Sequence, residues 1–352
     1  MRQKKQMKML GLLGLLAALP IISACAGNKG SDESRKEKMV QSVSVVQPIT
    51  GTWINLAYKD VRNKYTNPQH FDNMDPKLWT AKVRELANMG IEYLVFMEVA
   101  NEGKAYYPSK LMPWLYNDKL QSPVDAILDE AAKHGMKVFM STGWAKDQDD
   151  NLLDPVIKER QLQIMEELAS LYKNHKAFYG WYLPVEDCLC PIFAEHAVQS
   201  VNALTEKAHS LTPGKKTLIS PYGIGLSEFD HPDFEKQMAK LKVDIIAYQD
   251  EVGCVRDKFT LPRLKKNWQR MRDIHNRLNI EMWANCETFT WEEGTNDRQS
   301  ALIPAAYSRL LSQQVAASVA GVDKIISFMF GGIIEDPKSA YQLGQPVWSN
   351  NC

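Results

Sequence analysis

The chain has 352 residues, 45% of them hydrophobic and 24% charged, the balance of a globular protein rather than a disordered one. Its 42 basic and 42 acidic residues cancel, so no strong net field points to nucleic acid, and six cysteines are too few for a disulfide scaffold at this length. The one long uncharged apolar run lies at the N-terminus, which excludes a polytopic membrane protein.

Arg2, Lys4, Lys5 and Lys8 precede an apolar stretch from Met9 to Ile22, broken by Pro20. A positive segment, a short apolar segment and a small-residue ending are the three parts of a secretory signal. The ending Ile22-Ser23-Ala24-Cys25 resembles the lipobox of bacterial lipoproteins. That resemblance implies cleavage before Cys25 and lipidation of its thiol. Loss of residues 1–24 removes four of the 42 basic residues and no acid, leaving 38 against 42 and a mildly acidic surface. Ala26 to Lys38 is polar without apolar period, so residues 25–48 read as a lipidated tether. The expectation is an exported protein on the periplasmic or cell-surface side of a bacterial membrane, held by lipid without spanning it.

From residue 49 onward short β-rich runs alternate with amphipathic helices. The first strand is expected at Thr52–Ala57, followed by a helix that starts at Asp75-Pro76 and ends at Met89-Gly90. Cap residue, proline at the first helical position and terminal glycine punctuate that helix. The second strand is Ile91–Glu98 and its helix runs from Ser122-Pro123 to His134-Gly135. The third strand is Met136–Thr142, with a helix from Asp154-Pro155 to Tyr172. The fourth is Ala177–Leu183, with a helix over Pro191–Ser210. Strand five is Thr217–Ser220, then a short helix near Pro232–Leu241. Strand six is Val243–Gln249, with a helix over Pro262–Leu278. Strand seven is Glu281–Cys286, with a helix over Ser300–Ala320 closed by Gly321. Strand eight is Lys324–Phe330. Eight such units without a second compositional zone predict a single α/β domain over 49–352, a closed (β/α)8 TIM barrel. The rival, an open doubly wound sheet, normally has a glycine-rich turn after its first strand, and Ala57-Tyr58-Lys59-Asp60 is not one.

In a barrel of this kind the carboxyl ends of the strands build the site. Those ends supply Trp53, Asn55 and Tyr58; Glu98; Trp144; Trp181 and Tyr182, then Glu186; Tyr222; Tyr248, Asp250 and Glu251; and Trp283, Asn285, Glu287 and Trp291. Flat aromatic rings stack on the apolar faces of sugar rings, and acids or amides bond the hydroxyls, so the mixture suits a neutral oligosaccharide or polysaccharide. Glu186 and Glu287 form the sharpest pair, because they follow the fourth and seventh strands and flank the mouth. Cleavage of a glycosidic bond needs one carboxyl protonated, to donate to the leaving oxygen, and one ionised, as nucleophile or base. Burial near Trp181 and Tyr182 is expected to raise Glu186, and polar neighbours such as Asn285 to keep Glu287 charged. Tyr248 and Asn285 are expected to position the sugar, with Trp181, Trp283 and Trp291 as walls or platforms. No cofactor is needed for such chemistry.

Glutamates after strands four and seven resemble the arrangement of clan A retaining glycoside hydrolases, which implies Glu186 as acid/base and Glu287 as nucleophile. That clan usually has Asn directly before the first glutamate, where this chain has Val185. The opening Gly51-Thr52-Trp53, the block Gly180-Trp181-Tyr182-Leu183-Pro184-Val185-Glu186 and the block from Ala247-Tyr248-Gln249-Asp250 to Gly253 resemble domain-of-unknown-function family 4434, exported bacterial proteins with a glycosidase-like barrel. The resemblance implies the fold and a carbohydrate-related role. A non-catalytic glycan-binding surface protein on the same barrel, or a lyase using the same acids, stays open.

Cys188, Cys190, Cys254, Cys286 and Cys352 remain once Cys25 is lipidated, an odd number. Their spacing matches no common zinc module, and no metal site is expected; pairing among them stays open. The seven histidines fall mostly on predicted helices, with no H-E-x-x-H, and there is no G-x-S-x-G elbow, Walker loop or dinucleotide fingerprint,. Basic residues such as Arg263, Lys265 and Lys266 lie on an amphipathic helix, a solvated face rather than a nucleic-acid site.

Overall fold

The computed structural model describes residues 46–56, 75–101, 103–143, 153–254, 260–294, 300–336 and 338–339. The signal segment, Cys25, the segment Ala26–Lys38, Tyr58, Trp144 and Cys352 lie outside them. The described residues belong to the compact unit Val45–Cys352.

Their elements in chain order are β1 (Ile49–Ile54), α1 (Pro76–Asn88), β2 (Tyr93–Phe96), β3 (Ala100–Asn101), β4 (Lys104–Ala105), α2 (Pro123–Lys133), β5 (Lys137–Ser141), α3 (Pro155–Tyr172) and β6 (Phe178–Tyr182). Then come α4 (Glu195–Leu211), β7 (Lys216–Ile219), α5 (Phe234–Ala239), β8 (Ile245–Gln249), α6 (Leu261–His275), β9 (Glu281–Glu287), β10 (Phe289–Trp291), β11 (Leu302–Pro304), α7 (Tyr307–Ala320) and β12 (Lys324–Phe328). Strands β1, β2, β5, β6, β7, β8, β9 and β12 pair in parallel and close into a barrel. Closure satisfies both edges of the sheet, and each crossover carries the chain back along the outside. The expected TIM barrel is therefore the observed fold.

The helix starts follow from capping chemistry. Asp75, Ser122, Asp154 and Thr260 accept backbone N–H groups of the first turn with their side-chain oxygens, each worth about 1 kcal/mol. A proline stands in the first turn of all four helices, where its missing N–H costs nothing,. Gly321, with φ of 77°, closes α7 in a left-handed conformation that side chains resist,.

Several boundaries differ from expectation. Strand β1 begins at Ile49, three residues earlier than the β-rich run suggests, and pairs with β12 and β2. The seventh helix begins at Tyr307 rather than Ser300, because Leu302–Pro304 pairs antiparallel with Phe289–Trp291 as a small hairpin beside the mouth.

Side chains alternate across each strand, so every barrel strand feeds two layers. Trp53, Tyr93, Val95, Phe139, Tyr182, Leu218, Ile245, Trp283 and Ile326 fill the interior of the barrel. Leu94, Val138, Trp181, Ile246, Tyr248, Met282 and Ile325 point outward and pack with the helices in the larger core. The pleat, more than residue type, decides which aromatic residues approach a ligand.

Candidate active site at the carboxyl end of the barrel

Glu186 lies four residues beyond the end of β6. The Tyr182 hydroxyl, which projects from the barrel interior, donates to Glu186 Oε1 at 3.1 Å. Trp53 packs edge-on against Tyr182, with ring centroids 4.5 Å apart, and forms the floor beneath this pair. Burial pushes the Glu186 carboxyl up to about 7, against the opposing hydrogen bond from Tyr182. Desolvation wins because one donor restores only part of the hydration that a carboxylate loses.

The loops after β6 and β7 are tied together beside Glu186. Asp187 accepts its neighbour's amide, Cys188 N–H, at 2.7 Å and pairs with His196 at 2.7 Å. The Leu189 N–H donates to the Tyr222 carbonyl at 2.8 Å, and the Tyr222 N–H to the Asp187 carbonyl at 3.3 Å. Cys188 and Cys190 form a disulfide in this loop, whereas the buried Cys286 is a free thiol. Tyr222 itself is half exposed, and burial raises its hydroxyl together with the fields of Asp187, Glu251 and Glu186.

Glu287 is the last residue of β9 and shares the inward register of Trp283 and Asn285,. It is 5% exposed. Its Oε2 accepts the Cys254 N–H at 2.6 Å. Gly253 allows that approach: a Cβ there would stand 2.5 Å from the Phe289 carbonyl and 2.9 Å from Glu287 Oε2. Beneath lies Asp250, fully buried, which accepts Gln313 Nε2 at 2.5 Å and the backbone N–H groups of Glu287 at 3.1 Å and Val252 at 3.3 Å. Burial first, and the neighbouring Asp250 second, push Glu287 well above the ordinary carboxylate range; Glu251 adds to the rise, and Arg309 and the Cys254 amide oppose it. Three donors converge on Asp250 and one on Glu287, so the negative charge rests more easily on Asp250. Glu251 holds a left-handed backbone (φ 53°) and accepts the Gly223 N–H at 2.7 Å. Strained backbone of this kind in a side-chain-bearing residue collects at functional sites.

The acidic groups at the mouth influence one another. Tyr222 feels Glu186 and Glu251, and Glu251 acts on Glu287. They span β6, β7, β8 and β9, which are consecutive in the barrel. Two buried polar atoms add to them: Trp53 Nε1 and Asn285 Oδ1 have no hydrogen-bond partner, although Asn285 Nδ2 donates to Ser220 Oγ at 3.1 Å. A buried donor and a buried acceptor left open in a polar cleft are what a polyhydroxylated ligand satisfies.

Several expected contact residues stand elsewhere. Trp181 faces outward and donates its Nε1–H to Thr212 Oγ1 at 2.8 Å in the helix layer. Tyr248 also faces outward, its hydroxyl 2.6 Å from His275 Nε2. Neither reaches the mouth, because the pleat turns them to the other face of the sheet. Trp283 points inward but near the start of β9, where it packs against Tyr93 at 5.1 Å and Phe139 at 5.8 Å; it belongs to the opposite end of the barrel. Asp250 is buried beneath Glu287 and supports it rather than facing a ligand. Glu98 is buried, and its Oε1 accepts the Leu56 N–H at 2.8 Å, fixing the chain after β1. Asn285 turns its amide to Ser220, so the ionised Glu287 expected from that neighbour is not what the structure shows. Asn55 follows β1, half-buried, and Trp291 rests half-buried on the hairpin, donating to the Cys254 carbonyl at 3.3 Å.

Gln313 and Arg309 are the functional neighbours that strand-end reading misses, since both lie on α7. Arg309 donates to the Glu287 and Phe289 carbonyls at 2.8 and 2.7 Å. One signal was available: Gln313 falls on the same buried stripe as Ala316, Ala317 and Ala320, and a polar residue on a buried stripe needs a buried partner. Val185 packs in the outer core. Among the described residues no group of three or more His, Cys, Asp or Glu side chains is arranged to hold a metal ion.

A closed eight-stranded barrel with acidic groups at the ends of its fourth and seventh strands is a glycoside-hydrolase-like fold. Residues 49–341 match Domain of unknown function (DUF4434), and the chain belongs to that family. Over 144 residues it is 29% identical to the glycosyl hydrolase DigH of Escherichia coli K12, and equally to that of Shigella flexneri. Those matches cover 37% of this chain and 32% of the relatives, so they span about a third of the relatives' length. Among solved structures, a Bacteroides thetaiotaomicron protein provisionally named an alpha-L-fucosidase superposes with a TM-score of 0.64 at 21% identity, over 84% of this chain and 91% of the other. A GH5_18 protein from Streptomyces cattleya in complex with GlcNAc superposes with a TM-score of 0.52 at 12% identity, over 80% and 70%. At these identities the likeness is one of fold.

Proposed function

We propose that this protein is an exported, lipid-anchored glycoside hydrolase that cleaves a glycosidic bond of an oligosaccharide or polysaccharide. The observation that carries the reading is the pair of hydrogen-bonded carboxyls, Glu186 beyond β6 and Glu287 at the end of β9, at the mouth of a barrel whose fold is shared with glycosidases. Glu186, raised to about 7, is the general acid/base. It holds a proton for the leaving oxygen at neutral pH, which an ordinary carboxyl does not. Glu287 acts as the nucleophile or the base for water in its ionised form, which the Cys254 amide and Arg309 favour against the larger upward push of burial and Asp250. Tyr222, Asn285 and Trp291 are the contacts for the sugar, with Asn55 at the opposite wall. Lipidation at Cys25 and the tether 25–48 hold the domain at the membrane.

A second reading, binding without turnover, is favoured by Val185. It occupies the place of an asparagine in clan A enzymes and is committed here to the outer core. A panel of aryl glycosides and oligosaccharides assayed with the wild type, Glu186→Gln and Glu287→Gln separates the two. Turnover by the wild type that falls about 100- to 10,000-fold in each variant supports hydrolysis. Turnover that survives both substitutions removes these residues from the mechanism, and glycan binding without turnover favours the receptor.

A further inference from the structure

The outer face of α7 is apolar along its length. Tyr307, Leu311, Val315 and Val319 recur every four residues, so they form one row on the helix. They are exposed by 74%, 38%, 39% and 44%. The opposite face, Gln313, Ala316, Ala317 and Ala320, is the one packed on the barrel. An outward row of this kind is the reverse of the pattern that a solvated surface helix shows.

Two further features meet at that row. The first is charge. Helix α6 packs beside α7 and holds Arg263, Lys265, Lys266, Arg270 and Arg272 against one acid of its own, Asp273, although Arg270 and Arg272 pair with Asp230 and Asp323 of neighbouring segments. Arg272 reaches the Gly321 carbonyl that ends α7, at 3.2 Å. The edge of α6 that bears Arg272 thus faces α7, and Lys265, two turns earlier, lies on the same edge. Lys265 and Lys266 are exposed and form no ion pair among the described residues, while α7 itself has no acidic residue. The second is chain path. Gln47 is pinned by two hydrogen bonds to α7 and one just beyond it: its N–H donates to Ser318 Oγ at 2.9 Å, Gln314 Nε2 to its carbonyl at 3.3 Å, and its Nε2 to the Val322 carbonyl at 2.8 Å. Val46, before it, is exposed. Val46 and Gln47, near the end of the stretch read as a tether, therefore lie on this flank of the barrel.

We propose that the outward face of α6 and α7 is the surface with which this protein lies on an anionic lipid bilayer. The proposal rests on the lipid-anchored reading above and adds an orientation to it. Apolar side chains with a tyrosine enter the boundary between headgroups and acyl chains, and neighbouring lysines meet the acidic headgroups. No described helix is long and apolar enough to cross a membrane, so the contact is interfacial. A second copy of the chain is a poorer occupant, because one helical row falls well short of the roughly 800 Å² per partner of a stable dimer. With α7 facing lipid, the mouth opens sideways along the membrane rather than into it, since strands and helices of the barrel run parallel to that surface.

The full chain with a photo-crosslinking residue at Leu311, at Val315 or, as a control, at Leu171 is mixed with vesicles of phosphatidylcholine with or without phosphatidylglycerol. Leu171 is 45% exposed on α3, the helix diametrically opposite in the ring. The expected result is lipid adducts at 311 and 315 but not at 171. Adducts should increase with phosphatidylglycerol and fall about five-fold for each of Lys265→Gln and Lys266→Gln at low salt. Unchanged thermal melting confirms that the variants are folded. Vesicle sedimentation with no adducts at 311 and 315, or with equal adducts at 171, overturns the orientation and leaves anchoring intact. Protein–protein adducts at 311 assign the face to a second copy. No sedimentation at all overturns the anchored reading together with the orientation.

Discussion

The two ends of the barrel interior are built from the same strands and behave as opposites. At the amino end, Tyr93, Phe139, Tyr179 and Trp283 pack edge to face with centroids 5.1–5.9 Å apart. Charges there are cations with partners: Lys137 lies over the Tyr93 and Tyr179 rings, Lys324 over Tyr93, and Lys216 pairs with Glu281 at 3.3 Å. At the carboxyl end the charges are carboxyls, and burial raises Glu186, Asp250 and Glu287 alike. One end satisfies its polar groups and contributes stability. The other keeps like charges together out of water at a cost in stability, which is the expected signature of a site kept for chemistry.

The largest test of that contrast is Glu287→Gln. Activity should fall by about 100- to 10,000-fold, while the protein becomes more stable at alkaline pH. The sign follows from the raised carboxyl. A group that binds its proton more tightly folded than unfolded contributes stability below its unfolded value and loses it as pH rises through the folded one. Replacing Glu287 removes that loss, so the melting temperature should rise by the equivalent of about 1 kcal/mol or more at pH 8 and change little near pH 4. A variant destabilised at both values would break the comparison.

At the other end, Trp283→Ala should cost about 3–5 kcal/mol in denaturant unfolding and leave kcat per folded molecule close to that of the parent. A selective loss of kcat with unchanged stability would place Trp283 in the site after all.

Finer changes sharpen the carboxyl end. Asp250→Asn removes the like charge beneath Glu287 and lowers that carboxyl, so the acid limb of kcat/KM should move down by about one pH unit. An unmoved limb would show that Asp250 does not set the protonation of Glu287. Tyr182→Phe removes the donor to Glu186 Oε1, which raises that carboxyl further. The alkaline limb should then move up by less than about one pH unit, and a downward shift would contradict the assignment of Glu186 as the acid.

Punctuation made most of the scaffold legible. Asp75-Pro76, Ser122-Pro123 and Asp154-Pro155 start helices where their chemistry says, because a cap and a proline act within one turn of chain. Strand ends such as Glu186 and Glu287 were equally visible. The failures share one cause. Trp181, Tyr248 and Trp283 have the residue type of a sugar platform, yet inward or outward register and height along the strand are set by pairing with neighbours distant in sequence. The pairing that shortens α7 joins Leu302–Pro304 to Phe289–Trp291, and residues 300–306 have no local signal strong enough to announce it.

The sequence alone determined the alternation of strands and helices, the proline-capped helix starts and the acidic character of the fourth and seventh strand ends, since each depends on short-range backbone and side-chain preferences. Tertiary structure decided which aromatic residues enter the barrel, and it placed Asp250 and Gln313 under Glu287. It also decided that Glu287 is raised rather than held ionised, because desolvation depends on everything that surrounds a group and not on the residues beside it in the chain.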